Sequence, residues 1–198
     1  MKLVSILQEF LVKKTKNGVP EKTIIRDKMK ELKAEISEIE KHAQSVRVFE
    51  KVESLPEFQA AKTVLIYWSM PDELPTHNFI VKWSRQKQML LPIVKGNDMF
   101  VKPFSTKDQM VQGAYGIWEP DAQREFIQKV DLVIVPGIAF DKQKNRLGRG
   151  KGYYDRYFTN GRVQKWGVCF DFQLMNKIPA EPFDIKMDKV ITSSFTVE

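Results

Sequence analysis

One cysteine, two histidines and no long apolar run in 198 residues exclude several classes of protein before any motif is read. Cys169 alone can form no internal disulfide and no thiolate metal site, so a reducing compartment is expected and a zinc ribbon is ruled out. His42 and His77 stand apart, with no metal-ligand spacing around either. No Ser-His-Asp or Cys-His set is evident. No apolar stretch approaches the roughly 20 residues that a membrane helix needs, and residues 2–14 make a poor secretory signal because Gln8 and Glu9 interrupt the apolar run. A cytoplasmic protein without a membrane partner is expected. Internal repeats and low-complexity segments are also lacking. What remains is ordinary globular composition, 42% hydrophobic and 29% charged, at a length that supports one substantial core.

The chain carries a net charge of +7, which predicts attraction to anions without saying which. The position of that charge is more informative. Residues 141–165 hold eight basic side chains against two acids, six of the seven net charges. Such a run is usually a solvated face, but Gly148, Gly150 and Gly152 interleave with these basic residues, which is not how a plain surface helix is written.

Residues 2–14 read as a short amphipathic helix with Leu3, Leu7, Phe10 and Leu11 at helical spacing. This makes 1–18 an N-terminal extension to one domain over 19–198. Asn17-Gly18 breaks that segment, and Pro20 suits the first turn of a new helix. From Pro20 to about Glu53 the spacing predicts one long helix, with Ile25, Met29, Leu32, Ile36, Ile39, Ala43 and Val46 as its apolar stripe. At about 100° per residue, Lys22, Arg26 and Lys33 fall within about 40° of one another beside that stripe. They could extend their charges into a neighbouring cleft; by spacing alone a solubilising role is favoured.

After Pro56 short β-rich runs alternate with helical or turn-rich stretches. Thr63–Trp68, Met89–Val94, Asp131–Val135, Trp166–Phe170 and Lys189–Thr192 are the strand candidates, with Pro92 weakening the second or placing it at an edge. Helical signals lie at about 76–87, 121–129 and 151–159. The alternation predicts a single Rossmann-like α/β domain, a mostly parallel sheet flanked by helices plus the long N-terminal helix.

The most informative segment runs from Val133 to Phe158. An apolar strand ends at Pro136-Gly137, a polar loop follows, and Arg146-Leu147-Gly148-Arg149-Gly150-Lys151-Gly152 leads into an aromatic-rich helix. Ligands in open α/β sheets bind outside the carboxyl ends of strands, where this loop should lie. Glycines let backbone N–H groups approach phosphate oxygens, and Arg146, Arg149 and Lys151 can neutralise a polyphosphate. The segment is neither a Walker loop, because Gly152 follows Lys151, nor a dinucleotide fingerprint, because its glycines are two apart. A mobile glycine hinge is the rival to phosphate binding.

These residues, with Pro136-Gly137-Ile138-Ala139-Phe140-Asp141 before them and Tyr153-Tyr154-Asp155-Arg156 after them, resemble the 5-formyltetrahydrofolate cyclo-ligases, or methenyltetrahydrofolate synthetases. Lys22 and Arg26 look like that family's N-terminal Lys-x-x-x-Arg nucleotide contact. Residues 69–76, Ser-Met-Pro-Asp-Glu-Leu-Pro-Thr, look like its substrate-side loop, and Gly116-Ile117-Trp118-Glu119-Pro120 like its Gly-Ile-x-Glu-Pro turn. The resemblance covers about residues 20–192. It implies a Rossmann-like fold and the reaction of ATP with 5-formyltetrahydrofolate to give ADP, phosphate and 5,10-methenyltetrahydrofolate. Such chemistry needs phosphate neutralisation and in-line positioning more than a nucleophilic side chain.

By the same resemblance, ATP is bound by Lys22, Arg26, Arg146, Leu147, Gly148, Arg149, Gly150, Lys151, Gly152, Tyr153 and Tyr154. Folate is bound by Trp68, Glu73, Arg149, Gly150, Lys151, Gly152 and Tyr153, and Mg²⁺ by Asp155 and Asp188. Taken alone, Asp155 reads as a helix-start acid, Asp188 as a surface acid, Glu73 as a loop acid and Trp68 as a core aromatic. Tyr153 and Tyr154 read as packing residues, and Tyr115 is a further residue that could border the folate. Cys169 reads as a small buried hydrophobe. Two features depart from the family pattern: the extension over 1–18, and Leu74-Pro75 after Glu73. The competing readings are a divergent ATP-dependent relative with another acceptor and a basic RNA-binding module on 141–165. A monomer acting on a folate, polyglutamylated or not, is expected, and nucleic acid is disfavoured because 141–165 is a small footprint with no recognisable RNA-binding motif.

Overall fold

The computed structural model describes residues 20–113, 116, 118–121, 125–158, 163–182 and 184–198. The extension over 1–18, Tyr115 and Ile117 lie outside the described residues.

Pro20, with φ −56° and ψ 133°, directly precedes helix α1 over Glu21–Glu35. The single helix expected to reach Glu53 is two. Ile36 is extended, and Ser37 accepts a hydrogen bond from the Glu40 amide to start α2 over Glu38–Ser54. A serine hydroxyl within a periodic apolar stripe offers the backbone a cap in place of a further turn. The break also re-aims the stripe. Helix α2 buries Ser45, Val48, Phe49 and Val52, while Ile39 is left 84% exposed. Short helix α3 follows over Pro56–Ala60, with proline at its start and Phe58 buried beneath it.

The five runs read as strands form the parallel centre of a seven-stranded sheet. They are β1 (Thr63–Ile66), β2 (Gln88–Lys95), β6 (Leu132–Val135), β9 (Gln164–Val168) and β11 (Lys189–Ile191). Edge strands β3 (Asp98–Pro103) and β12 (Thr196–Val197) pair antiparallel, giving the order β12-β11-β9-β6-β1-β2-β3. Strand β2 is therefore internal, contrary to an edge reading. Its pairing with β1 stops at Leu90, so Pro92 lies where β2 has only β3 beside it and its missing N–H interrupts no second ladder. Two small sheets are also present among the described residues: β4 (Met110–Gln112) with β5 (Trp118–Pro120), and β7 (Ala139–Asp141) between β8 (Arg146–Leu147) and β10 (Leu174–Met175).

Alternate strand residues face opposite layers. Val64, Ile66, Leu132, Ile134, Trp166 and Val168 pack against α2, α3 and α4 (His77–Trp83), where Phe49 stacks on Phe79 at 4.2 Å. Leu65, Leu90, Val133, Val135 and Val190 face Phe140 and Phe158, the latter on α5 (Tyr153–Phe158). Helix α1 joins through Ile24, Ile25 and Met29, which pack on Ala139, Leu147 and Met175 and so seat the helix against the β7–β8 hairpin.

The helix expected over 121–129 is not found in the described part, 121 and 125–129. The Phe126 amide instead donates to the Val101 carbonyl at 2.7 Å, so this stretch runs along β3. Cys169 is buried and its thiol pKa is pushed up by burial, in keeping with a packing role. Among the described residues, no helix is long and apolar enough to cross a membrane.

Candidate functional site

A cavity of about 520 Å³ opens beyond the carboxyl ends of β1 and β6, where Tyr67-Trp68 and Pro136-Gly137 leave the sheet. Its other walls are the start of α1, the β2–β3 hairpin, the loop after β1 and the glycine loop.

The glycine loop hangs from the β7–β8 hairpin, whose base is held by Asp141. This carboxyl is fully buried. Oδ1 accepts the amides of Gln143 and Asn145, and Oδ2 accepts Asn145 Nδ2 and the Ile178 amide, each at 2.9 Å. Three local hydrogen bonds and one from 37 positions away thus fix the turn from which residues 146–152 emerge. Gly150 and Gly152 have φ of +93° and +68°, where a side chain would strain the backbone. A Cβ at Gly150 would also lie 3.5 Å from Arg26 Nη2. At the far end of the loop, Tyr153 Oη donates to Gly96 O and the Arg156 guanidinium donates to Asn97 O, tying α5 to the tip of the β2–β3 hairpin.

Every proposed site residue but one lines this cavity. Lys22 and Arg26 enter from α1, as their shared face allows. Arg26 Nε donates to Gly148 O at 3.0 Å, while Lys22 meets Asp184 at 2.7 Å and Glu181 at 3.1 Å. Residues 146–154 form one wall. Arg146 is 7% exposed, pairs with Asp155 at 3.0 Å and stands over the Tyr154 ring at 5.3 Å. Its Nε is shielded from solvent and has no hydrogen-bond partner among the described residues. Trp68 lines the cavity and also packs, with His77 4.2 Å and Phe104 5.7 Å away.

Glu73 faces Arg149 from the opposite loop, with Oε1 3.3 Å from Arg149 Nη2 and Oε2 accepting the Met70 amide at 3.0 Å. Burial pushes its carboxyl above the ordinary glutamate value, against the lowering effect of that amide and of Arg149.

Asp188 is the exception. It directly precedes β11, at the end of the parallel strands away from the cavity, and its carboxylate accepts the Lys165 amide at 2.7 Å and pairs with Lys165 Nζ at 3.1 Å. Asp184, four residues earlier, lines the cavity in its stead.

Several lining residues escaped the sequence reading. Trp118 and Glu119 lie in the Gly-Ile-x-Glu-Pro turn, a signal that was present without a role attached. Met99 and Val94 belong to the unforeseen hairpin, and Asp184 and Glu181 meet Lys22 from more than 150 positions away.

A parallel α/β domain with a glycine- and arginine-lined loop over a cavity at its strand ends belongs to the class that holds a small ligand at that edge of the sheet. The comparisons narrow this. The sequence profile of the 5-formyltetrahydrofolate cyclo-ligase family matches residues 19–193, and the chain belongs to that family. This places it among the ligases. It is 31% identical over 194 residues to a probable 5-formyltetrahydrofolate cyclo-ligase of Caenorhabditis elegans, covering 89% of this chain and 94% of the relative. It is 33% identical over 150 residues to the 5-formyltetrahydrofolate cyclo-ligase of Escherichia coli K12, covering 70% and 82%. The solved structure of Aquifex aeolicus 5,10-methenyltetrahydrofolate synthetase is similar at a TM-score of 0.81 and 32% identity, over 88% of this chain and 91% of that one.

Proposed function

We propose that the protein joins N10 to the formyl carbon of 5-formyltetrahydrofolate at the expense of ATP, releasing ADP, phosphate and 5,10-methenyltetrahydrofolate. The observation that carries the reading is Arg146. Its guanidinium, on a side chain 7% exposed, lines a ligand-sized cavity together with Arg149 and Lys151 of the same glycine loop, which concentrates fixed positive charge on one wall. A polyphosphate would answer that charge.

The formyl group on N5 is an amide, whose oxygen leaves poorly. Transfer of the γ-phosphoryl group breaks its bond to the β-phosphate bridging oxygen and forms one to the formyl oxygen. N10 then attacks the formyl carbon, phosphate departs with the former formyl oxygen, and the N10 proton is released. The protein's part is to hold both substrates in line and to answer charge on the phosphates. Arg146, Arg149, Lys151 and the glycine-loop amides do so from one wall, with Lys22 and Arg26 on α1. On the folate side, Glu73 accepts from pterin N–H groups and Trp68 offers a ring face.

The metal donors differ from those first expected. Asp155 and Asp184 are hard oxygen donors lining the cavity, paired there with Arg146 and Lys22, whereas Asp188 lies at the opposite end of the parallel strands. Among the described residues no group of three or more His, Cys, Asp or Glu could hold a metal. One or two carboxylates suit Mg²⁺ that shares its shell with substrate phosphates. We therefore propose that Asp155, with Asp184, would hold it, and a bound Mg²⁺ would supply neutralising charge to the polyphosphate.

The purified protein with 5-formyltetrahydrofolate and Mg-ATP should develop the near-ultraviolet absorbance of methenyltetrahydrofolate; no rise, with ATP bound in calorimetry, would overturn this acceptor and favour a divergent relative. Glu73→Ala should lower kcat/KM for the folate by about 100-fold and change the ATP dissociation constant by less than about threefold. Equal losses in both would remove Glu73 from the folate side.

The pH dependence follows from the raised Glu73 pKa. Accepting pterin N–H groups requires the ionised form, so the acid limb of kcat/KM should lie above that of an ordinary glutamate. The sign for stability is opposite. Folded Glu73 keeps its proton to higher pH than the unfolded chain does. Its contribution to stability is full below the unfolded pKa and is lost as pH rises through the folded one.

A further inference from the structure

The loop after β1 and the glycine loop are tied to each other by charge. Arg149 Nη2 lies 2.6 Å from Asp72 Oδ1, closer than its 3.3 Å contact with Glu73. The other oxygen of Asp72 lies 3.1 Å from Lys33 Nζ. Lys33 sits on α1 beyond Lys22 and Arg26, and its side chain is 4% exposed while that of Asp72 is 40% exposed. A lysine so deeply placed needs an anionic partner. Asp72 therefore answers two cations, one fixed in a helix and one on a loop that lines the cavity.

We propose that Asp72 and Lys33 are positioning residues for Arg149: Asp72 parks the guanidinium on the loop after β1 until a polyphosphate enters the cavity, and Lys33 then takes over the charge of Asp72. This rests on the reading of Arg149 as a phosphate ligand. The need for Lys33 is electrostatic. If Arg149 left Asp72 with no other cation beside it, a carboxylate would face the incoming polyanion and repel it. With Lys33 at 3.1 Å the carboxylate stays compensated after Arg149 has gone. Asp72 is thus a competitor for Arg149, and Lys33 weakens that competition.

The two residues therefore have opposite effects on ligand affinity, which a merely structural pair would not show. Calorimetric titration with ATP, and separately with inorganic tripolyphosphate, should find Lys33→Met about tenfold weaker than wild type and Asp72→Asn about fivefold tighter. In the double variant, Lys33→Met should add no loss to Asp72→Asn. Asp72 is solvent-accessible enough to be hydrated when Lys33 is removed, and thermal melting checks that each variant is folded. The relay is overturned if wild type binds ATP and Asp72→Asn binds it equally or less tightly, or if Lys33→Met binds as well as wild type. Tightening toward ATP but not tripolyphosphate would also overturn it, since the nucleoside would then carry the effect. A wild-type protein that binds neither probe would remove the phosphate reading of Arg149, and the relay with it.

Discussion

Asp141→Asn should lower the melting temperature by about 9 °C, the equivalent of about 3 kcal/mol in a domain of this size. The substitution is nearly isosteric, so the effect comes from hydrogen-bond direction. Each carboxyl oxygen of Asp141 accepts two N–H donors in a site closed to water. An amide can present its oxygen to one pair only; its NH₂ group must face the other pair, leaving two donors unpaired and a third group in conflict with them. The cost of one buried, unsatisfied polar group is about 1–3 kcal/mol. Because these bonds join the β7–β8 turn to the Ile178 amide, the same variant should also bind ATP less tightly. Thermal unfolding followed by circular dichroism measures the first effect, and a shift below about 2 °C would refute the account of this carboxyl as the pin of the hairpin.

Arg146→Met should reduce kcat/KM by about 1,000-fold or more, the scale on which loss of a positioned cation affects phosphoryl transfer. Methionine keeps the buried stem and its packing on Tyr154 but removes the fork. Two contacts go with it, the Asp155 ion pair at 3.0 Å and the contact with the Pro136 carbonyl, along with the cation on the cavity wall. Arg146→Lys keeps a charge without the planar fork and should recover only a small part of the activity. Steady-state kinetics alongside ATP titration separates the outcomes. A kcat/KM within about threefold of wild type would remove Arg146 from the transition state.

The sheet was legible because parallel strands buried on both faces are written as unbroken apolar runs. All five such runs became its five parallel strands. The elements missed are those whose pairing partner, and not their own composition, makes them strands. Strand β3, DMFVKP, carries an aspartate, a lysine and a proline and forms because the Gly96-Asn97 turn folds it back on β2. The break at Ser37 was hidden for a related reason. Alternating steps of four and three continue across it in the sequence, and only tertiary burial shows that the second half of the stripe faces elsewhere.

The candidate site was legible where chemistry is contiguous along the chain. Residues 146–155 name their own wall, and Lys22 and Arg26 follow from one helix face. Contacts between segments far apart in the chain left no such trace: Lys33 and Asp72 are 39 positions apart, Arg149 and Asp72 77, Lys22 and Asp184 162. Asp188 shows the limit from the other side. A carboxylate just before a strand and one just after a strand look alike in sequence, yet they lie at opposite ends of a parallel sheet, and only one end opens on the cavity.

The strand order also fixes the sequence in which the molecule can assemble. Parallel neighbours cannot be joined by a tight turn, and the pairing of Val64 with Leu132 must close a long stretch of chain before any core contact rewards it. The β2–β3 hairpin alone in the main sheet, apart from the short β11–β12 pair, can zip locally, from Lys95 opposite Asp98 outward. It carries Val94 and Met99 of the cavity wall. The apolar side of the cavity is therefore made early on the folding route. The wall that joins the sheet only when β6 pairs with β1 is set later, so pulse-labelled hydrogen exchange should protect the amides of 93–100 before those of 132–135.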